Sequence, residues 1–188
     1  MEYSADGTSG TGVELAEAHA DEREAIRQLL ARANEAYRSV LPAASFDPYL
    51  ALVLDLESRA DVGSLLVARV DGRAVGAVTF FADATAEGWG GPEGVSGLRA
   101  MAVDPARRRQ GIGTALVGAC VERARGAGAR ALTLHSADWL RDAIRLYERC
   151  GFVREPARDQ PASDLMRVPQ EADFVALAYR LDLEEQHP

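Results

Sequence analysis

The chain has 188 residues, 47% of them hydrophobic and 27% charged, and a formal net charge of -8. That length and apolar content suffice for one domain with its own core. The acidic balance excludes a general affinity for nucleic acid, whose phosphates demand spread-out positive charge. Every strongly basic side chain is arginine, so a lysine Schiff base and a Walker-type phosphate loop are excluded as well.

Residues 1–12 are small, polar and glycine-rich, and are expected to form a disordered tail before a single domain at 13–188. They lack the basic region and apolar core of a secretory signal. No apolar run approaches membrane-spanning length. Cys120 and Cys150 have neither the spacing of a disulfide framework nor that of a zinc site, and read as buried free thiols. A cytoplasmic protein without metal or membrane partner is the expectation.

Residues 13–18 suit a short strand. Asp21 offers a helix N-cap with Glu24 three residues on, and Ile26, Leu29, Leu30, Ala33 and Tyr37 continue at helical spacing to about Arg38. A second helix is predicted at 47–60. The period then changes: residues 64–70 and 73–81 are apolar runs joined through Asp71-Gly72, a strong hairpin signal. A glycine-rich loop around Trp89 follows, then a strand at 98–103 that Asp104-Pro105 ends. Ile112, Leu116, Val117, Cys120, Val121 and Ala124 form an apolar helical stripe running to Gly126-Ala127-Gly128. A strand at 130–136, a helix from Asp138 to Arg149, a loop over 154–172 and a last strand at 174–183 complete the order. The pattern predicts an α/β fold: a mixed, partly antiparallel central sheet with helices on both faces.

The stretch RRRQGIGTALVGAC, residues 107–120, sets three arginines and two glycines before a helix. A helix start leaves backbone N–H groups unpaired and carries partial positive charge. Glycines at 111 and 113 let a bulky anion approach those amides. A phosphate or diphosphate cradle is one reading, and a structural turn without ligand is equally consistent with the residues. Neither familiar nucleotide motif fits, since lysine is absent and Leu116 stands where the dinucleotide fingerprint needs its last glycine.

Arg108-Arg109-Gln110-Gly111-Ile112-Gly113 resembles the Q/R-x-x-G-x-G/A signature of the GCN5-related N-acetyltransferases (GNAT), and AIRLYERCGF at 143–152 resembles that family's A-x-x-L-Y-x-x-x-G-F helix. The order of elements from about residue 13 to 183 is similar too. The resemblance implies the GNAT, acyl-CoA N-acyltransferase fold. It implies acetyl-CoA as co-substrate, its diphosphate held by Arg108, Arg109, Gln110, Gly111, Ile112, Gly113 and Thr114. The strand segment Met101, Ala102 and Val103 would meet the pantetheine. It further implies a V-shaped slot, opened at a bulge between the strands at 98–103 and 131–135, and direct acetyl transfer to a primary amine of a small molecule or peptide. Homodimers are common in the family, and residues 174–183 are a candidate interface.

Tyr147 occupies the position of the family's general acid, which protonates the departing thiolate. Its place in the series Leu140, Ala143, Ile144, Tyr147 also fits a core residue. Many relatives carry a glutamate base before the segment reading L-R-x-x-A-V-D-P here, and that position is Gly97. Glu93 is then the nearest candidate base in the preceding loop, with His135 and Asp138 as further titratable groups. Asp47, Asp55, Glu87, Glu93 and Asp159 fall in segments expected around the acceptor, compatible with an amine or polyamine. An acyl-CoA-binding module without catalysis is the alternative function.

Overall fold

The computed structural model describes residues 12–166 and 173–183. Residues 1–11 of the expected N-terminal tail, and residues 167–172 of the expected loop, lie outside them.

The sheet grows from the hairpin. β1 (Glu14–Glu17) pairs with β2 (Ser64–Val70), which turns through Asp71 (φ 51°) and Gly72 (φ 72°) into β3 (Arg73–Phe81). Two successive residues at positive φ make the tight turn that suits twisted antiparallel strands. β4 (Ser96–Val103) continues the antiparallel run. β5 (Ala131–Ser136) then lies parallel to β4, and β8 (Val175–Asp182) returns antiparallel beside β5. Two short strands interrupt the expected loop: β6 (Val153–Arg154), at its start, pairs with the other edge of β8, and β7 (Gln160–Pro161) pairs with β8 at Val175 and Ala176. The path is β1-β2-β3-β4-β5-β8-β6, with β7 added to β8. β8 is thereby an interior strand, occupied along both edges within the chain.

Helices cover both faces. On one face, α1 (Arg23–Asn34) buries Ile26, Leu29, Leu30 and Ala33 at helical spacing against Val67, Ala77 and Ala102. α2 (Ala43–Leu54) and α3 (Leu56–Ala60) complete that layer. The expected helix over 47–60 thus starts earlier and breaks at Asp55 (ψ 79°), whose carboxylate accepts from the Ser58 N–H at 3.2 Å. Capping before α1 falls two residues ahead of expectation. The His19 N–H donates to Glu22 at 2.7 Å, and Glu22 also holds the buried Arg69, whereas Glu24 pairs with Arg27. On the opposite face, α4 (Ile112–Gly126) buries Ile112, Leu116, Val117, Cys120 and Ala124 against Leu66, Val78, Leu98 and Leu132. α5 (Arg141–Arg149) adds Tyr147 to that core, and a four-residue α6 (Ala162–Leu165) follows β7. The chain turns through 138–140 before α5 begins, so the helix starts three residues later than expected and Asp138 is exposed ahead of it. No helix of the described residues is long and apolar enough to cross a membrane.

β4 carries an irregularity that shapes everything near it. Ala77 opposes Ala102, but Thr79 opposes Arg99, so β4 spends one residue more than β3 over that interval. The extra residue is marked by Ala100 at φ 52°, a left-handed conformation that costs an L-residue about 1 kcal/mol.

Candidate active site

Beyond the bulge, β4 and β5 part company. Their parallel pairing is confined to Ser96 with Leu132 and Gly97 with Thr133. The V between them is a cavity of about 620 Å³ that passes through the sheet from the start of α4 to the face covered by α1 and α2. Met101, Ala102 and Val103 form one wall, and His135, Ser136 and Ala137 another.

At one end lies the arginine-glycine loop. Asp104 accepts from the Ala106 N–H at 2.9 Å, starting a 3-10 turn over Pro105–Arg107 that leads the chain toward α4. Arg109 (φ 62°) and Gly111 (φ 80°) are both left-handed, and Gly111 is the N-cap of α4. The Ala115 N–H bonds to the Gly111 carbonyl at 2.9 Å, so the N–H groups of Ile112, Gly113 and Thr114 precede the first intrahelical bond. A Cβ at Gly113 would stand 2.8 Å from a methyl at the end of the Leu146 side chain, which would have to turn aside. Arg108, Arg109, Gly111, Ile112, Gly113 and Thr114 all line the cavity, as does Arg107. Gln110 is exposed and lies outside the lining, and Arg108 turns one Nη toward the Ala33 carbonyl at 2.9 Å.

Tyr147 also lines the slot. It is 5% exposed, its ring lies edge-on to Phe152, and its hydroxyl makes no hydrogen bond among the described residues. Burial holds its phenol well above the ordinary tyrosine range. The core and slot readings of Tyr147 both describe it, since its ring packs in the core while the residue borders the slot. Cys120 is different: it is sealed in the core, where burial pushes its thiol up to about 12 and removes it from nucleophilic chemistry.

The other end is built from aromatic residues. Trp139 stands edge-on to Tyr37 and Tyr49 at 5.0 Å and to Phe174 at 5.7 Å. The Tyr49 hydroxyl donates to Asn34 at 2.6 Å. The Trp89 loop is tied down by the Gln160 side chain, which donates to the Trp89 carbonyl at 2.7 Å, and by Arg158, which donates to Gly90 at 2.9 Å. His135 packs against Trp89 at 5.4 Å, and its Nε2 lies 3.4 Å from the Arg158 carbonyl. Burial, opposed by that backbone contact and reinforced by Arg99, lowers the His135 pKa from its usual 6.5.

The sequence overlooked a buried layer beneath this end. Arg99 lies over the Trp89 ring with its guanidinium carbon 3.7 Å from the centroid, and donates to the Glu87 carbonyl at 2.9 Å and carboxylate at 3.3 Å. The Glu87 side chain is 6% exposed, and burial pushes its carboxyl up to about 7 against the pull of Arg99. A Cβ built at Gly97 would overlap Glu87 Oε1, so this carboxylate occupies the space a side chain at 97 would take. Glu87 does not line the slot; Arg99 does. A signal was present in LRAMAV, where a charged residue interrupts an apolar strand. Glu93, by contrast, is exposed and does not line the slot.

Four of the five acids expected around the acceptor, all but Glu93, have partners of their own. Asp159 is bidentate with Arg154 at 2.8 Å, Asp47 lies 3.5 Å from Arg38, Asp55 caps α3, and Glu87 faces Arg99.

A family model described as acetyltransferase (GNAT) family matches residues 23–152. No curated protein matches the chain significantly. Among solved structures, a GNAT-family acetyltransferase from Staphylococcus aureus Mu50 shares 16% identity at a TM-score of 0.64, covering 92% of this chain and 99% of that one. The PaiA N-acetyltransferase of Thermoplasma acidophilum, solved with coenzyme A, shares 12% at 0.66, covering 91% and 99%. The ribosomal-protein-S18-alanine N-acetyltransferase of Escherichia coli shares 17% at 0.61, covering 94% and 99%. At these identities the likeness is one of fold.

Proposed function

Because the chain belongs to the GNAT acetyltransferase family, we propose that it is an acetyl-CoA-dependent N-acetyltransferase acting on a primary amine of a small molecule or peptide. The observation that supports this most is the slot itself. One passage runs from an amide-rich, arginine-flanked helix start, past the buried Tyr147, to a chamber holding His135.

The residues present fit coenzyme A. The N–H groups of Ile112, Gly113 and Thr114, with Arg107 and Arg109 beside them, would hold its diphosphate at the α4 N-terminus. The β5-facing edge of β4 at Met101–Val103, left open where the two strands part, would take the pantetheine amides. When bound, acetyl-CoA supplies an acyl thioester whose carbonyl a neutral amine attacks with departure of the CoA thiolate.

Tyr147 lines the slot, and in this reading it meets the leaving sulfur. A phenol raised by burial keeps its proton at neutral pH, so Tyr147 donates a hydrogen bond to the developing thiolate rather than ionising ahead of it. The proposal predicts that Tyr147→Phe lowers kcat by about 100-fold with the KM for acetyl-CoA within a few-fold. Thiol release measured with a panel of amines and peptide N-termini tests both points. Binding of acetyl-CoA without turnover of any amine would favour the non-catalytic acyl-CoA module, a reading that the missing carboxylate at Gly97 keeps open.

His135 is the histidine that lines the slot, and its Nδ1 makes no hydrogen bond among the described residues. We assign it as proton acceptor for the attacking amine, in place of the exposed Glu93. Its pKa is lowered, so it is neutral and competent above pH 6.5 and is lost as base only on acidification below that value. kcat/KM is therefore expected to fall below pH 6.5, with a limb that His135→Gln removes along with about 100-fold of the rate. An unchanged limb in that variant would rule the assignment out.

A further inference from the structure

Two buried guanidiniums, Arg59 and Arg99, lie next to each other at the acceptor end of the slot. Arg59 is 4% exposed and donates to three uncharged oxygens: Thr79 Oγ1 at 3.1 Å, the Leu52 carbonyl at 2.6 Å and the Val53 carbonyl at 2.7 Å. Its pKa is lowered to about 10 by burial and by the neighbouring Arg99. Arg99, 12% exposed at its side chain, has one carboxylate partner, Glu87, reached through Nη2. Its Nε is buried without a partner. Its Nη1 makes no hydrogen bond among the described residues, and the residue lines the cavity. The acids nearest Arg59 are Asp55 and Glu57, and Arg59 lies behind the cavity rather than in its wall. Arg99 is thus the guanidinium that reaches the cavity, buried beside a second cation with one carboxylate and two nitrogens unpartnered, a state that costs free energy unless an anion joins it.

The neighbouring walls say what else the ligand carries. Leu52, Val53, Tyr49, Trp139 and Phe174 line the same chamber and are apolar or aromatic. Arg99 and His135 lie against the same indole, that of Trp89. A ligand that presents a carboxylate to Arg99 thus has its next few atoms beside His135.

We infer that the acceptor is an amine bearing a carboxylate a few atoms from the reacting nitrogen, with an apolar or aromatic body: an amino-acid-like substrate, recognised through Arg99 Nη1. This rests on the N-acetyltransferase reading and narrows it. It also favours the simple amine over the polyamine, since the acid among the described residues that lines the cavity, Asp142, lies 3.7 Å from Arg145. Glu87 acts as a positioning residue, holding the guanidinium against Trp89 from behind.

Matched pairs differing only in the carboxylate test the inference: L-phenylalanine against phenethylamine, and L-leucine against isoamylamine, with spermidine as the polycation. The wild-type protein is expected to favour the carboxylated member in kcat/KM by about 30-fold, the scale of one charge-assisted hydrogen bond. Arg99→Met, which keeps an apolar stem over Trp89, is expected to bring that ratio close to one. Equal turnover of both members by the wild-type protein, or preference for spermidine, would overturn the inference. So would an equal fall for both members in Arg99→Met, which would move the role of Arg99 to the acyl group. A binding measurement independent of turnover and of the variant's folding accompanies these. N-acetyl-L-phenylalanine should raise the melting temperature of the wild-type protein and N-phenethylacetamide should not, and an equal response to the two also overturns the inference. Selective stabilisation with no turnover of any amine counts against acetyl transfer alone; turnover without carboxylate preference counts against this inference alone.

Discussion

Replacing Gly113 with aspartate is expected to raise the KM for acetyl-CoA by roughly 10³-fold while leaving the melting temperature unchanged or slightly higher. The two halves of that expectation have separate causes. A carboxylate in the first turn of α4 lies on the positive end of the helix, where acidic residues are favourable, so folding does not suffer. The same carboxylate competes for the Ile112, Gly113 and Thr114 amides and repels a diphosphate. Losing two charge-assisted hydrogen bonds accounts for about 3–6 kcal/mol. Gly113→Ala is the control. Its methyl meets the end of the Leu146 side chain, which can turn aside, so its effect should stay below about tenfold. Titration calorimetry with coenzyme A and a thermal melt read both quantities. Unaltered affinity in the aspartate variant would remove the diphosphate from this loop.

The second large effect is expected from one methyl group. Gly97→Ala places its Cβ on Glu87 Oε1, and the buried carboxylate must leave. Arg99 then loses its ionic partner, and the layer beneath Trp89 loosens. Breaking a buried pair by displacing one member costs about 3–5 kcal/mol, here a fall of roughly 6–20 °C in melting temperature. In a Glu87→Ala background the collision is gone, and the same Gly97→Ala change should cost less than about 0.5 kcal/mol. A denaturation cycle over the four proteins measures this coupling. Equal costs in both backgrounds would mean that Glu87 and Gly97 do not share the space.

The features legible in the sequence were those written in local patterns. The hairpin at 64–81 fell where Asp71-Gly72 put it, because a two-residue turn fixes the register of both flanking strands. The α4 stripe and the splayed pair of strands around it likewise followed from periodicity and the family signature. Misplaced features depended on competition between neighbours. Glu22 and Glu24 both suit a capping role before α1, and the tie is broken by Arg69, 47 residues away, which engages Glu22. β6 and β7 are two residues long and exist only because β8 offers them an edge, so no alternation announces them. At the site, the sequence located the vacant strand position, Gly97, and looked for its substitute in Glu93. Two loop glutamates six residues apart cannot be ranked without knowing that Gly88, at φ 73°, ends the turn that folds Glu87 inward. Nor does any one-dimensional pattern show that Arg99 and Trp89, ten residues apart, will stack.

The extra residue in β4 has an effect that reaches past the opening of the slot. A regular strand assigns odd and even positions to opposite faces for its whole length. Here the assignment inverts midway: Leu98 joins the α4 core while Gly97 and Arg99 look the other way, yet Met101 and Val103 join the α4 core and Ala102 packs under α1. Ala100 is thus a phase shift in the strand's alphabet. Both Arg99, which addresses the acceptor side, and Met101, which packs toward α4, are odd-numbered neighbours on one strand, and only the inserted residue lets them serve different compartments. Deleting it would restore a regular ladder and send one of the two sets of side chains to the wrong address.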